Sequence, residues 1–99
     1  MVRRLARVDA NQAAIVRLLR QLGCSVVCTH TVGAGFADLV CARGGINVLV
    51  EVKDGSAPPA ARRLTPDEQA FRDTWQGRYV VVETAEDAIA LVDSLRHPE

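Results

Sequence analysis

The segment Gly35–Gly55, GFADLVCARGGINVLVEVKDG, decides how this chain is read. Two runs rich in valine and leucine, FADLVCA at 36–42 and NVLVEVK at 47–53, flank the pair Gly44–Gly45. Branched apolar residues favour extended backbone, and a Gly-Gly pair between two such runs signals a two-residue hairpin turn. A loop of that length sets the register, with Val40 opposite Leu49, Leu39 opposite Val50 and Asp38 opposite Glu51. Opposed residues of an antiparallel pair have Cβ atoms about 4.5–5.5 Å apart. The period of two then puts Lys53 on the same face as Glu51. Asp38, Glu51 and Lys53 therefore gather at one end of the hairpin, on a face whose other members, Val40, Ala42 and Leu49, are apolar. A three-residue loop would shift the pairing by one and weaken this geometry.

Upstream, Asp9 followed three residues on by Gln12 reads as a helix start and Gly23 as its stop. Ile15, Leu18, Leu19 and Leu22 form the apolar stripe of that helix, leaving Arg17, Arg20 and Gln21 to water. At about 100° per residue, Asn11 falls inside the stripe and Gln12 at its edge, so two amides point toward the sheet. SVVCT at 25–29 is a further strand, joined to the hairpin by a glycine-broken loop from His30 to Gly35. Downstream, DGSAPPAARRL at 54–64 reads as an exposed loop ending in Arg62 and Arg63, with the composition of a mobile flap. Thr65, Pro66 and Glu68 supply N-cap, N1 and N3 of a helix, TPDEQAFRDTWQ, that stops at Gly77 and buries Phe71, Thr74 and Trp75. RYVVVE at 78–83 is a fourth strand, and Thr84 caps a last helix with the stripe Ala88, Leu91, Val92 and Leu95. The expected order is α-β-β-β-α-β-α, an α/β fold with a central mixed sheet flanked by helices.

Ninety-nine residues make one domain, here taken as 1–99. Twelve Lys plus Arg balance twelve Asp plus Glu, so any contact with nucleic acid must come from local patches. One such patch is the basic arm at 1–8, with Arg3, Arg4 and Arg7, continued by Arg17 and Arg20. The acids of the last helix, Glu86, Asp87 and Asp93, lie elsewhere in sequence. That asymmetry allows a DNA-facing side, and a merely solvated arm is the competing reading. No stretch approaches the roughly 18 apolar residues of a membrane span, and MVRRLARVDANQ lacks the apolar region of a signal peptide, so no membrane partner and a cytoplasmic location are expected. Cys24, Cys28 and Cys41 form no CxxC pair and read as core fillers. Structural zinc takes more ligands, at tighter spacing, than Cys24, Cys28 and His30 supply.

The chemistry lies at the hairpin end. Two facing carboxylates repel unless a cation lies between them or one takes up a proton. Oxygen ligands suit a hard cation, Mg2+ or Mn2+, which keeps several waters and is held by one or two carboxylates plus substrate phosphate. Lys53 on the same face is placed to neutralise charge on a phosphate and to orient or deprotonate an attacking water. Together these parts describe phosphodiester hydrolysis. A plain ion cluster on a wet sheet face is the alternative, and the apolar neighbours weigh against it. His30 is a candidate contact to phosphate near the site, against the simpler reading of a solvated loop histidine. Trp75 fits core or a dimer interface better than a base-stacking platform.

Joined to the preceding helix and the following glutamine-bearing helix, an aspartate and then, about a dozen residues on, E-x-K across a glycine hairpin resemble the PD-(D/E)XK nuclease superfamily. The DANQ helix, the G-x-G-x-x-D entry, EVKDG and LTPDEQAF resemble, more narrowly, small prophage-encoded proteins akin to VRR-NUC domains and Holliday junction resolvases, over about residues 8–93. The resemblance implies a restriction-endonuclease-like core and a Mg2+- or Mn2+-dependent endonuclease acting on branched or flap DNA in phage or prophage metabolism. It implies Asp38, Glu51 and the Val52 carbonyl as metal ligands, Lys53 as the catalytic lysine, and Gln69 or the adjacent Glu68 as the counterpart of a helix glutamine. Arg3, Arg4, Arg7, His30, Arg62 and Arg63 are the candidate DNA contacts, and size together with likeness implies a homodimer. Two positions depart from the pattern. Ala37 stands where proline usually precedes the aspartate, and Asn11 or Gln12 stands where the first helix usually offers a glutamate. The second departure leaves a catalytically silent DNA-binding or assembly module as the alternative function.

Overall fold

The computed structural model describes residues 10–96, so the proposed cap Asp9 and the arm with Arg3, Arg4 and Arg7 lie outside the described residues. Helix α1 (Ala10–Gln21) is followed by strands β1 (Ser25–Cys28), β2 (Leu39–Arg43) and β3 (Ile46–Val52). A short helix α2 (Pro59–Arg62), helix α3 (Pro66–Thr74), strand β4 (Tyr79–Val82) and helix α4 (Ala85–Arg96) complete the chain. The sheet has the order β1-β2-β3-β4, antiparallel across β1, β2 and β3 and parallel between β3 and β4. A parallel neighbour requires a crossover, and the segment carrying α2 and α3 is that crossover.

Gly44 and Gly45 both take positive φ, 62° and 81°, which is what a two-residue turn matched to the twist of its strands needs. The register is the expected one: Leu39 pairs with Val50, Val40 with Leu49 and Cys41 with Val48. Alternation then sorts side chains to two faces. Leu39, Cys41, Val48, Val50 and Val52 form one core with Ile15, Val16 and Leu19 of α1 and with Ala88, Leu91, Val92 and Leu95 of α4. The opposite face carries Asp38, Val40, Leu49 and Glu51 and is covered in part by α3, through Phe71 against Phe36 and Tyr79, with ring centroids 5.2 and 6.3 Å apart.

Several expectations need correction. The loop 54–64 contains α2, because Pro59 presets the helical φ after the extended Pro58. Strand β2 begins at Leu39 and not at residue 36, since three successive residues, Gly33, Ala34 and Gly35, hold positive φ and delay the extended run. Helix α3 ends at Thr74 and has no buried residue; Phe71 is half-buried, while Thr74 and Trp75 (41% exposed) face outward. Cys28 is exposed on the edge strand, so only Cys24 and Cys41 fill the core. Val16, outside the expected stripe of α1, is buried in that core.

Gly35 sets how closely α3 can approach. A Cβ built there runs into the Asp67 carbonyl and lies 3.1 Å from Glu68 N, whereas one on Gly33 meets nothing within 4 Å. Both glycines hold positive φ, 81° and 85°. Gly33→Ala is expected to destabilise by about 1–2 kcal/mol, the strain of a left-handed L residue. Gly35→Ala should lose clearly more, through displaced α3 backbone, and equal losses in urea melts would show that this close approach is unimportant.

Candidate active site

The cleft at the end of the hairpin is built by a change in what Asp38 does at the end of the ladder. Its carbonyl accepts from Thr29 N at 2.7 Å, and its carboxylate Oδ2 accepts from Val52 N at 2.9 Å. A side chain thus takes the place of a backbone carbonyl beside β3. Glu51 is still within β3 and is 2% exposed. Lys53 follows the strand with its backbone clamped on two sides, N donating to Val82 O at 3.0 Å and O accepting from Asn11 Nδ2 at 2.6 Å.

Helix α3 contributes Glu68. Its Oε1 accepts from Thr65 N and from Lys53 Nζ, each at 2.9 Å, so the capping box of α3 and the partner of the lysine are one carboxylate. Glu51 Oε2 lies 3.7 Å from Nζ on the other side. Gln12, 6% exposed, brings α1 to the same cleft. The cleft measures about 360 Å³, floored by Asp38, Glu51 and Lys53 and walled by Gln12, Glu68 and Ala61. Two larger grooves, of about 600 and 610 Å³, the second sharing Gln12 with the cleft, hold no carboxylate pair of this kind among the described residues.

The electrostatics are those of crowded acids. Among the described residues no N–H or O–H donor reaches the buried Glu51 Oε1. The neighbours of this carboxyl are Asp38 and Glu68, with which it hydrogen-bonds only by holding a proton. Burial, then the charges of Asp38 and Glu68, push it up to about 9. Asp38 is also raised, by burial foremost, although the Val52 N–H works the other way. Burial works against the Lys53 ammonium, but the Glu68 hydrogen bond and charge outweigh it and raise the lysine above its ordinary value. Burial likewise opposes the Glu68 carboxylate, and the bonds from Lys53 and Thr65 N hold it below the usual range. Tyr79 Oη, near these acids, is buried with no partner, and burial followed by the Glu51 charge lifts it to about 12.

The structure resolves two alternatives that the sequence leaves open. Gln12, not Asn11, lines the cleft; Asn11 Nδ2 instead ties α1 to Lys53 O and, at 3.3 Å, to Glu83 O. Glu68, not Gln69, meets Lys53. Gln69 is one position round the helix, exposed, and donates to Asp73 at 3.3 Å, which corrects its placement among the site residues. Arg62 pairs with Glu83 at 3.2 Å, tying α2 beside the cleft, and Arg63 is exposed. His30 is at the surface, its Nδ1 3.5 Å from Gln12 Nε2. Tyr79 was not foreseen, because nothing in RYVVVE marks a strand tyrosine whose hydroxyl is shut away behind α3.

Among the described residues, no group of three or more His, Cys, Asp or Glu side chains is spaced as a ready metal cage. The donors that are present still fit a hard divalent ion. Such an ion takes one or two carboxylates and keeps its waters, and Glu51 Oε1, beside Asp38, is a buried oxygen with no hydrogen-bond donor among the described residues. Compared with known proteins, the chain matches no family model, no curated protein and no solved structure.

The folded Glu51 keeps its proton to about pH 9, while an unfolded glutamate loses it near 4.5. Between these values the folded chain binds more protons, so the stability of the metal-free protein should fall as pH rises from 5 to 9. Glu51→Gln, which has no proton to lose in the unfolded chain, should flatten that decline and stabilise at pH 8 by at least about 1 kcal/mol. Thermal melts across pH check both, and a wild-type stability that rises over this interval would contradict them.

Proposed function

We propose that the protein is a Mg2+- or Mn2+-dependent endonuclease of the PD-(D/E)XK type, hydrolysing phosphodiester bonds in branched or flap DNA of phage or prophage origin. The observation that carries this reading is the buried Glu51 carboxyl beside Asp38, with one oxygen that no donor among the described residues reaches, two residues before Lys53, whose ammonium lies 3.7 Å from the other oxygen. Asp38, Glu51 and the Val52 carbonyl would hold the ion. A bound ion supplies positive charge against the phosphate and makes a neighbouring water more acidic.

The remaining work falls to the chain's own groups. Lys53 acts as a cation and hydrogen-bond donor toward the phosphate, not as a base, because Glu68 and Glu51 favour its protonated form. Glu68 fixes the lysine's direction through a bond that also caps α3. Gln12 offers an uncharged amide at the cleft wall, where the resemblance implies a glutamate. A homodimer presenting two sites belongs to this reading, and a cytoplasmic setting fits DNA as substrate. Among the described residues no helix is long and apolar enough to cross a membrane.

Gln12 also favours a second reading, a DNA-binding module on the same fold without turnover, since an amide lowers the negative charge available to a cation. Incubating the protein with plasmid, a four-way junction and a flapped duplex in Mg2+, Mn2+ or EDTA separates the two. Metal-dependent cleavage, reduced at least about 100-fold by Glu51→Ala, Asp38→Ala or Lys53→Ala, is the expected result. Undiminished cleavage by Lys53→Ala would remove the mechanism. Gln12→Glu should increase cleavage or lower the Mg2+ needed; binding without cleavage in every condition, Gln12→Glu included, would leave the silent module.

A further inference from the structure

A second depression shares one lining residue with the cleft. A groove of about 610 Å³ runs along the outer side of α1 beside the free edge of β1, and Gln12 lines both it and the cleft. Its floor is Ala13, Val16 and Cys28; its rim is Arg17, Arg20 and His30. From Gln12 to Arg20 the helix advances about 12 Å, at ~1.5 Å per residue.

The chemistry of this groove differs from that of the other large groove, which lies against β4 and α4 and carries Arg78 and Asp87 together. Among the described residues no carboxylate lines the α1 groove. Arg17 is exposed and makes no hydrogen bond or ion pair among the described residues. Arg20 spends one guanidinium nitrogen on Val26 O, at 2.9 Å, and keeps its other donors. That bond also occupies an outward carbonyl of the edge strand β1, which weighs against a peptide adding there as another strand. The floor is apolar and the rim positive, and Gln12 borders both this groove and the cleft lined by acids.

We propose that this groove binds an unpaired segment of nucleic acid, about three nucleotides at the ~3.4 Å stacked spacing, running away from the phosphate held in the cleft. A duplex keeps its bases stacked inside and shows phosphates to the protein, so it leaves an apolar floor without a partner. An unpaired strand offers both parts, phosphates to Arg17 and Arg20 and base faces to Ala13, Val16 and Cys28. This assignment rests on the nuclease reading for the direction of the strand, but the groove's affinity does not depend on turnover.

The test is fluorescence anisotropy in EDTA with three labelled probes: a 12-nucleotide single strand, the blunt duplex of the same sequence, and that duplex with a three-nucleotide flap. Wild type should bind the single strand and the flapped duplex at least tenfold more tightly than the blunt duplex. Arg17→Glu, an exposed substitution whose fold is checked by circular dichroism and thermal midpoint, should weaken both by about tenfold and leave the blunt duplex nearly unchanged. Arg17→Ala should lower the slope of log affinity against log salt by about 0.7, one single-strand phosphate contact. Equal binding of single strand and blunt duplex, or indifference to Arg17→Glu, overturns the assignment. So does self-association that Arg17→Glu abolishes without any change in nucleic-acid binding. Because these assays contain no divalent metal, an intact Arg17 effect in a protein that never cleaves would sink the nuclease reading and keep the groove. Cleavage without an Arg17 effect would do the reverse.

Discussion

The acid pair at the site follows from the length of one turn. With two glycines between β2 and β3, Leu39 pairs with Val50, and the neighbouring Asp38 and Glu51 come together on the sheet face opposite the hydrophobic core. One residue more in the loop would turn the β2 set over, since a single-residue slip exchanges faces. Leu39 and Cys41 would then leave the core and Asp38 would enter it. The hydrophobic core and the acid pair are therefore specified by the same register, and neither can be altered without the other.

That register also forces the electrostatic character of the cleft. Two ionised carboxylates about 5 Å apart repel by about 3 kcal/mol at an effective dielectric of ~20, a large part of a stability of roughly 5–15 kcal/mol. The fold tolerates this in two ways. Glu51 takes up a proton, and Lys53 is drawn between Glu51 and Glu68. Each device is provisional, in that a divalent ion would satisfy the same acids better and release the proton.

Much of the fold was legible because its signals are local. The glycine pair, the Thr65-Pro66-Glu68 start and the stripe of α4 each act within a few residues, and each stands where the sequence puts it. The opposition of Asp38 and Glu51 was legible for the same reason. What was not legible depends on distance in sequence. Glu68 and Gln69 differ by one position on α3, and only the docking of that helix, set by Gly35 and Phe71, decides which one meets Lys53. Asn11 and Gln12 pose the same problem on α1. The outward turn of Trp75 and the exposure of Cys28 reflect where the sheet runs out, which no local pattern reports.

Glu68 joins two jobs in one atom, and helix α3 buries no side chain of its own. Elements with few buried contacts open at free energies well below global unfolding. Each time the first turn of α3 frays, Thr65 N and Lys53 Nζ lose their common acceptor together. The lysine is then left to Glu51 alone. The geometry of the cleft is thus a property of a population, and the fraction of molecules with Lys53 correctly aimed is the fraction in which a marginal helix is wound.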